Sequence, residues 1–170
     1  MDIFVEQLVK KKRDAKDYLI VVLSIAAALG LMWLLFSFIT TFIGFFAFIV
    51  VAVLLYAIYL LVTSINLEYE YCFTNGAFDV DKIINVRKRK RITELNAREI
   101  EIMASRKSPE FNRYLTNPAF KKVYACEDRN SDDLYFVIYN ENGEQKMLLF
   151  TPNDKIKDGF QKFNPQKVEL

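Results

Sequence analysis

No histidine occurs anywhere in this chain, and its only cysteines are Cys72 and Cys126. The ligand spacings of zinc sites are therefore absent, as is the side chain most often used as a general base near neutral pH. Two cysteines so far apart read as small strand residues that stay reduced in a reducing compartment. Glycine is scarce as well, and its five residues form no phosphate-cradling loop. Each has a structural use instead: Gly76 and Gly143 in turns, Gly44 in a chain reversal, Gly30 at a helix contact, and Gly159 inside a terminal helix at some cost. The carboxylate pairs Asp79/Asp81 and Asp132/Asp133 fall at strand and turn positions that read as plain surface. No catalytic residue, metal site or cofactor is expected.

The longest absence is of charge. No Asp, Glu, Lys or Arg occurs between Asp17 and Glu68, a stretch of about fifty residues where one membrane-spanning helix needs roughly twenty. As one helix it would measure about 75 Å, more than twice the thickness of a bilayer core. It must therefore fold back, and residues 40–44, which include Thr40, Thr41 and Gly44, supply the reversal between helices at 18–39 and 45–64. Ala26 and Gly30 form a small-xxx-small pair suited to close packing of the two helices, or of a second copy. With no ionisable group at depth, transport through this chain alone is not expected.

Charge returns on both sides of the gap, at Lys10, Lys11, Lys12, Arg13 and Lys16 before it and at Lys82 and Arg87 to Arg91 after it. The connecting turn has none, so the positive-inside rule places both termini in the cytoplasm of a multi-pass protein of the cell membrane. Residues 1–17 read as a basic amphipathic leader. Phe4, Val5, Leu8 and Val9 fall on one side of a helix, which would lie at the membrane interface; the alternative is a partly disordered segment that only fixes topology.

Residues 66–170 form a cytoplasmic domain large enough for one small core. Leu67, Tyr69, Tyr71 and Phe73 alternate with polar or small residues, and Asn75-Gly76 marks a two-residue hairpin turn. Pairing Thr74 with Ala77 sets Phe73 opposite Phe78, Tyr71 opposite Val80 and Leu67 opposite Ile84, giving one apolar face. A third strand begins in the arginine-lysine run and continues to Leu95, and a fourth holds Ile100 and Ile102. Residues 104–119 break the pattern with a short helix, Ser108 being its N-cap and Pro109 its first residue. Strands resume at 120–127, 134–140 and 145–151, the last two joined through Asn142-Gly143. Asn153 then caps a helix whose Ile156, Phe160 and Phe163 make one stripe. The expected architecture is a transmembrane helical hairpin followed by a mainly-β domain, seven antiparallel strands in a small barrel or sandwich capped by a C-terminal helix.

The spanning hairpin followed by YCFTNGAFDVDKIINVRKRKRITELNAREIEIM resembles the bacterial pleckstrin-homology-like (PH-like) membrane proteins. The match is a strand pair, a basic turn, a strand leading to Ile100, and the terminal helix. The whole chain is also similar to a family of small two-helix membrane proteins of Gram-positive bacteria. These resemblances imply a fold rather than an activity, and the short helix after Ser108 is an insertion relative to the simplest pattern.

The one concentrated charge signal beyond the leader is Lys82 with Arg87, Lys88, Arg89, Lys90 and Arg91. Near a negatively charged leaflet each would contribute about 1 kcal/mol, so anionic phospholipid is the natural partner. The same run also fits a solvated hairpin edge that blocks strand association, or a topology signal. Nucleic acid is not expected, because acidic residues match basic ones over the rest of the domain. Two functions follow: a non-catalytic membrane-anchored interaction module, or an accessory or regulatory subunit of a larger membrane complex with an unidentified protein partner.

Overall fold

The computed structural model describes residues 2–38 and 44–169, which form two compact units. One comprises the residues from Arg13 to Asn66; the other joins the N-terminal residues up to Lys12 with everything from Leu67 onward.

The first unit holds α1 (Ala15–Phe38) and α2 (Gly44–Ser64). Within α1, Ala15–Leu34 is long and apolar enough to cross a membrane, and within α2, Ile49–Thr63 is a shorter apolar helix. Neither helix is amphipathic; apolar side chains surround both, as suits a helix solvated by lipid. Two of their hydroxyls are satisfied by the helix's own backbone. Ser24 donates to the Ile20 carbonyl at 2.7 Å and Thr63 to that of Tyr59 at 2.8 Å. The helices face one another through Ala28, Leu31 and Met32 on α1 and Val51, Leu54 and Ile58 on α2. Gly30 is not at that contact: a Cβ built on it would meet nothing within 4 Å. On α1 the contact is made by Ala28, Leu31 and Met32 rather than by the expected Gly30. The reversal expected at residues 40–44 lies, apart from Gly44, outside the described residues.

The second unit has eight strands, one more than expected. The additional one is β1 (Phe4–Lys10), where a helical or disordered leader was expected. Phe4, Val5, Leu8 and Val9 satisfy a helical period, yet Ile3, Val5, Gln7 and Val9 also alternate with Phe4, Glu6, Leu8 and Lys10. Pairing decides between the two: β1 runs antiparallel to β2 (Leu67–Thr74), setting Val5 opposite Phe73 and Val9 opposite Tyr69. Val9 is thereby buried, whereas Phe4 and Leu8 face outward, 65% and 61% exposed. Gln7 points inward and is satisfied, donating to the Thr151 carbonyl at 2.9 Å and accepting from the Asn153 N–H at 2.8 Å.

Sheet A continues through β3 (Ala77–Ile84) and β4 (Lys88–Asn96), in the order β1-β2-β3-β4. The β2–β3 register is the expected one, with Phe73 opposite Phe78, Tyr71 opposite Val80 and Leu67 opposite Ile84. Sheet B comprises β5 (Ile102–Ser105), β6 (Lys121–Ala125), β7 (Tyr135–Glu141) and β8 (Glu144–Phe150), in the order β5-β7-β8-β6. Its pairs are antiparallel except β6 with β8, which is parallel, so the all-antiparallel expectation is corrected there. The chain between β5 and β6 carries α3 (Glu110–Thr116). Pro109 rather than Ser108 occupies the cap position, although the Ser108 hydroxyl still accepts from the Glu110 N–H at 3.4 Å.

The two sheets pack face to face as an open sandwich rather than a closed barrel. Tyr71, Phe73 and Phe78 of sheet A meet Phe150 of sheet B and Phe160 of α4 (Asp154–Phe163), the Phe78 ring centroid lying 5.4 Å from that of Phe150. Asn153 caps α4 as expected, its side chain accepting from the Ile156 N–H at 2.9 Å. A second core on the far side of sheet B gathers Phe111 of α3 with Phe120, Leu134, Phe136 and Met147. Sheet B is thus covered on both faces, which is why β7 and β8 read as continuous apolar runs.

Candidate functional site

Register determines what shares each end of sheet A. Leu67 pairs with Ile84, Ile84 with Lys88, and Lys10 with Glu68. The β3–β4 turn, the end of β1 and the start of β2 therefore lie at one end of the sheet. Lys11 follows directly, its N–H donating to the Leu67 carbonyl at 2.9 Å. Ala77 and Asn96 mark the opposite end, where a cleft of about 390 Å³ presents the carboxylates of Glu94, Glu99 and Glu141. Of these three, Glu94 pairs with Arg91 and Glu141 with Lys146.

Strand alternation divides the basic run. Arg89 and Arg91 face outward into a group of carboxylates. Arg89 pairs with Glu70 and lies 3.7 Å from Asp81; Arg91 reaches Asp79 at 3.1 Å, Asp81 at 3.3 Å and Glu94 at 2.9 Å. The planar guanidinium, with five fixed donors, suits such multiple contacts. Partial burial raises the Asp79 carboxyl above its usual range against the opposing pull of Arg91, while the nearby carboxylates, Asp79 foremost, hold Arg91 more firmly protonated. The two arginines expected to face lipid are thus neutralised within the fold.

Lys82 and Lys90 stand on the other face, directly opposite one another across β3 and β4. Like charges so placed oppose strand pairing. Among the described residues neither has a carboxylate within ion-pairing distance, and the same holds for Arg87 in the turn and for Lys88. Lys82 and Lys90 line a cleft of about 530 Å³ whose other walls include Tyr69, Ile92, Lys122 and Tyr124. The Lys122 ammonium donates to the Asn117 carbonyl, and the Arg129 guanidinium lies 4.1 Å from the centre of the Tyr124 ring. Burial, with a smaller contribution from Cys126, pushes the Tyr69 hydroxyl up to about 12, so it is neutral at physiological pH. The cleft therefore offers ammonium groups and a neutral phenol, all hydrogen-bond donors.

Of the six expected residues, Lys82, Arg87, Lys88 and Lys90 have no ion pair among the described residues, whereas Arg89 and Arg91 are paired while still 58% and 53% exposed. Lys122 was not anticipated. Of the adjacent pair Lys121 and Lys122, the first is spent on Glu144 at 3.1 Å, and only the parallel register of β6 decides which of the two faces the cleft. Among the described residues, no cluster of three His, Cys, Asp or Glu side chains could hold a metal ion.

Two packed sheets closed by a C-terminal helix are the architecture of a PH-like domain, a non-catalytic type of module. The family model described as bacterial PH-like domain (DUF6106) matches residues 1–170, and the chain belongs to that family. No curated protein and no solved structure gives a significant match.

Proposed function

We propose that this protein is a membrane-anchored interaction module whose PH-like domain contacts anionic phospholipid through Lys82, Arg87, Lys88 and Lys90. The observation that carries this reading is where the chain leaves and re-enters sheet A. It exits after Lys10 and returns at Leu67, beside the unpaired cations. Residues 13–66 thus begin and end at one place, so if they cross a bilayer they cross it an even number of times. Two crossings, by α1 and α2, satisfy that requirement, with both termini on the cytoplasmic side of the cell membrane, as the flanking lysines and arginines favour. Only two residues separate Ser64 from Leu67, a reach of about 10 Å. The basic end is therefore tethered close to the headgroups, where four cations supply about 4 kcal/mol.

Hydrogen exchange on the full chain in nanodiscs tests this. Amides of residues 82–91 should be better protected in phosphatidylglycerol than in phosphatidylcholine, and the combined change Lys82→Gln, Lys88→Gln and Lys90→Gln should abolish the difference. Equal protection of the unaltered chain in both lipids would refute the proposal.

A second reading, an accessory subunit of a membrane complex, is favoured by the outward exposure of Phe4 and Leu8 on sheet A. Crosslinking from position 8 in native membranes should then capture a protein in defined stoichiometry; capture of lipid alone counts against it.

A further inference from the structure

Three turns in this domain place asparagine first with a left-handed residue after it. In Asn75-Gly76 (φ 50° and 98°) and Asn142-Gly143 (φ 55° and 83°) the second position is glycine, which adopts that conformation without penalty. In the β3–β4 turn it is Val86, at φ 58° after Asn85 at φ 52°, with the Arg87 N–H donating to the Ile84 carbonyl at 3.2 Å. A β-branched residue is among the least suited to this region. Val86 gains no packing in exchange, being 79% exposed. Of the other described large apolar residues of this unit, only Phe4 and Leu8 are comparably exposed, and they lie on a sheet face rather than a tip.

We infer that Val86 is a membrane wedge: its side chain enters the interfacial region of an anionic bilayer while Arg87 and Lys88 engage the phosphates around it. Three features converge on one occupant, namely the exposed strained apolar tip, the unpaired cations flanking it, and its place at the end of the sheet where the chain passes to the apolar helices. A protein pocket would leave those cations without partners, whereas a phosphate layer above hydrocarbon satisfies both parts of the tip. The inference rests on the lipid-contact reading of the same end.

The test uses the full chain carrying Trp33→Phe and Val86→Trp, so that one indole reports the tip, in vesicles of phosphatidylglycerol or phosphatidylcholine containing acyl-brominated lipid. Blue-shifted emission quenched by bromine in phosphatidylglycerol is the expected result. Emission of a water-exposed indole, quenched by iodide and not by bromine, overturns the wedge. Equal insertion in both lipids keeps the wedge and removes the anionic preference. A solvated indole combined with lipid-dependent exchange of residues 82–91 removes the wedge and keeps the preference. Should the tryptophan variant fail to fold, Cys72→Ser with Val86→Cys carrying a nitroxide gives the same depth from its accessibility to oxygen against a nickel chelate. Val86→Gly supplies an independent sign: its melting midpoint should rise, and a fall would show that the turn needs valine for the fold itself.

Discussion

Whether the first ten residues form a strand or a helix is decided by two neighbouring substitutions. A helix with Phe4, Val5, Leu8 and Val9 on one face would make Leu8 and Val9 equivalent; the strand makes them opposites. Val9 is 6% exposed against Tyr69, whereas Leu8 is 61% exposed on the outer face. Val9→Ala removes two methyl groups, about 1.6 kcal/mol of transfer free energy, and the residual cavity brings the loss to roughly 2 kcal/mol. Leu8→Ala should stay within about 0.5 kcal/mol of the unaltered protein. The assay is urea unfolding of a soluble chain in which a short Gly-Ser linker replaces residues 13–66, a junction suggested by the 2.9 Å bond from Lys11 to Leu67. With a slope of about 1.5 kcal/mol per molar urea, Val9→Ala should lower the midpoint by roughly 1.3 M and Leu8→Ala by less than about 0.4 M. Equal shifts for the two variants, or none for either, would refute the strand. The same chain without residues 1–12 should lose its cooperative transition or shift it strongly.

Gly159→Ala should destabilise the domain by about 1 kcal/mol despite the better helix propensity of alanine, because the added Cβ would lie 2.9 Å from the Phe73 ring, which is held by Phe160 and Phe163; thermal denaturation measures this, and a raised midpoint would contradict it. Burial raises the hydroxyls of Tyr69 and Tyr139 from 10.0 to about 12 and that of Tyr71 further still. Since the folded state keeps these protons when the unfolded chain has released them, the associated stability is intact below pH 10 and is lost as pH rises above it. The loss is about 1.4 kcal/mol per tyrosine per pH unit; unfolding followed against pH should show it, and a flat profile from pH 9 to about 11 would not fit. Lys90→Glu should stabilise the fold by about 0.5 kcal/mol, by ending the opposition with Lys82, while reducing protection of residues 82–91 by phosphatidylglycerol; denaturation and hydrogen exchange read the two effects separately, and a loss of stability would contradict the proposed repulsion.

Local chemistry made much of this fold legible. Asn75-Gly76 fixed the β2–β3 register residue by residue, since a slip of one position would have turned Tyr71 and Phe73 to water. Asn142-Gly143 and the Asn153 cap were equally readable because each acts over three or four residues. β1 was not, because its apolar residues fit periods of both 2 and 3.6 and its partner lies across more than fifty intervening residues. The parallel β6–β8 pair was hidden for a related reason: strand direction there depends on how the chain crosses over through α3, not on any local signal. Val86 was overlooked because Asn-Val is not a turn signature; its left-handed conformation is imposed by the strands on either side.

The basic run illustrates how a linear signal misleads when a strand carries it. Five consecutive positive charges suggest one patch, yet a period of two sends alternate residues to opposite faces. The division also follows side-chain type. The arginines at 89 and 91 face four carboxylates from three strands, where a rigid fork can hold more than one at a time. The lysines at 82, 88 and 90 face away from those carboxylates. An arginine run would have invited its members to compete for the same acids, and a lysine run would have left the outer carboxylates poorly held. Alternation therefore divides one nine-residue strand: β4 is stitched to β2 and β3 on its outer face, while on the other face Thr93 and Leu95 are buried and Lys88 and Lys90 have no ion-pair partner among the described residues.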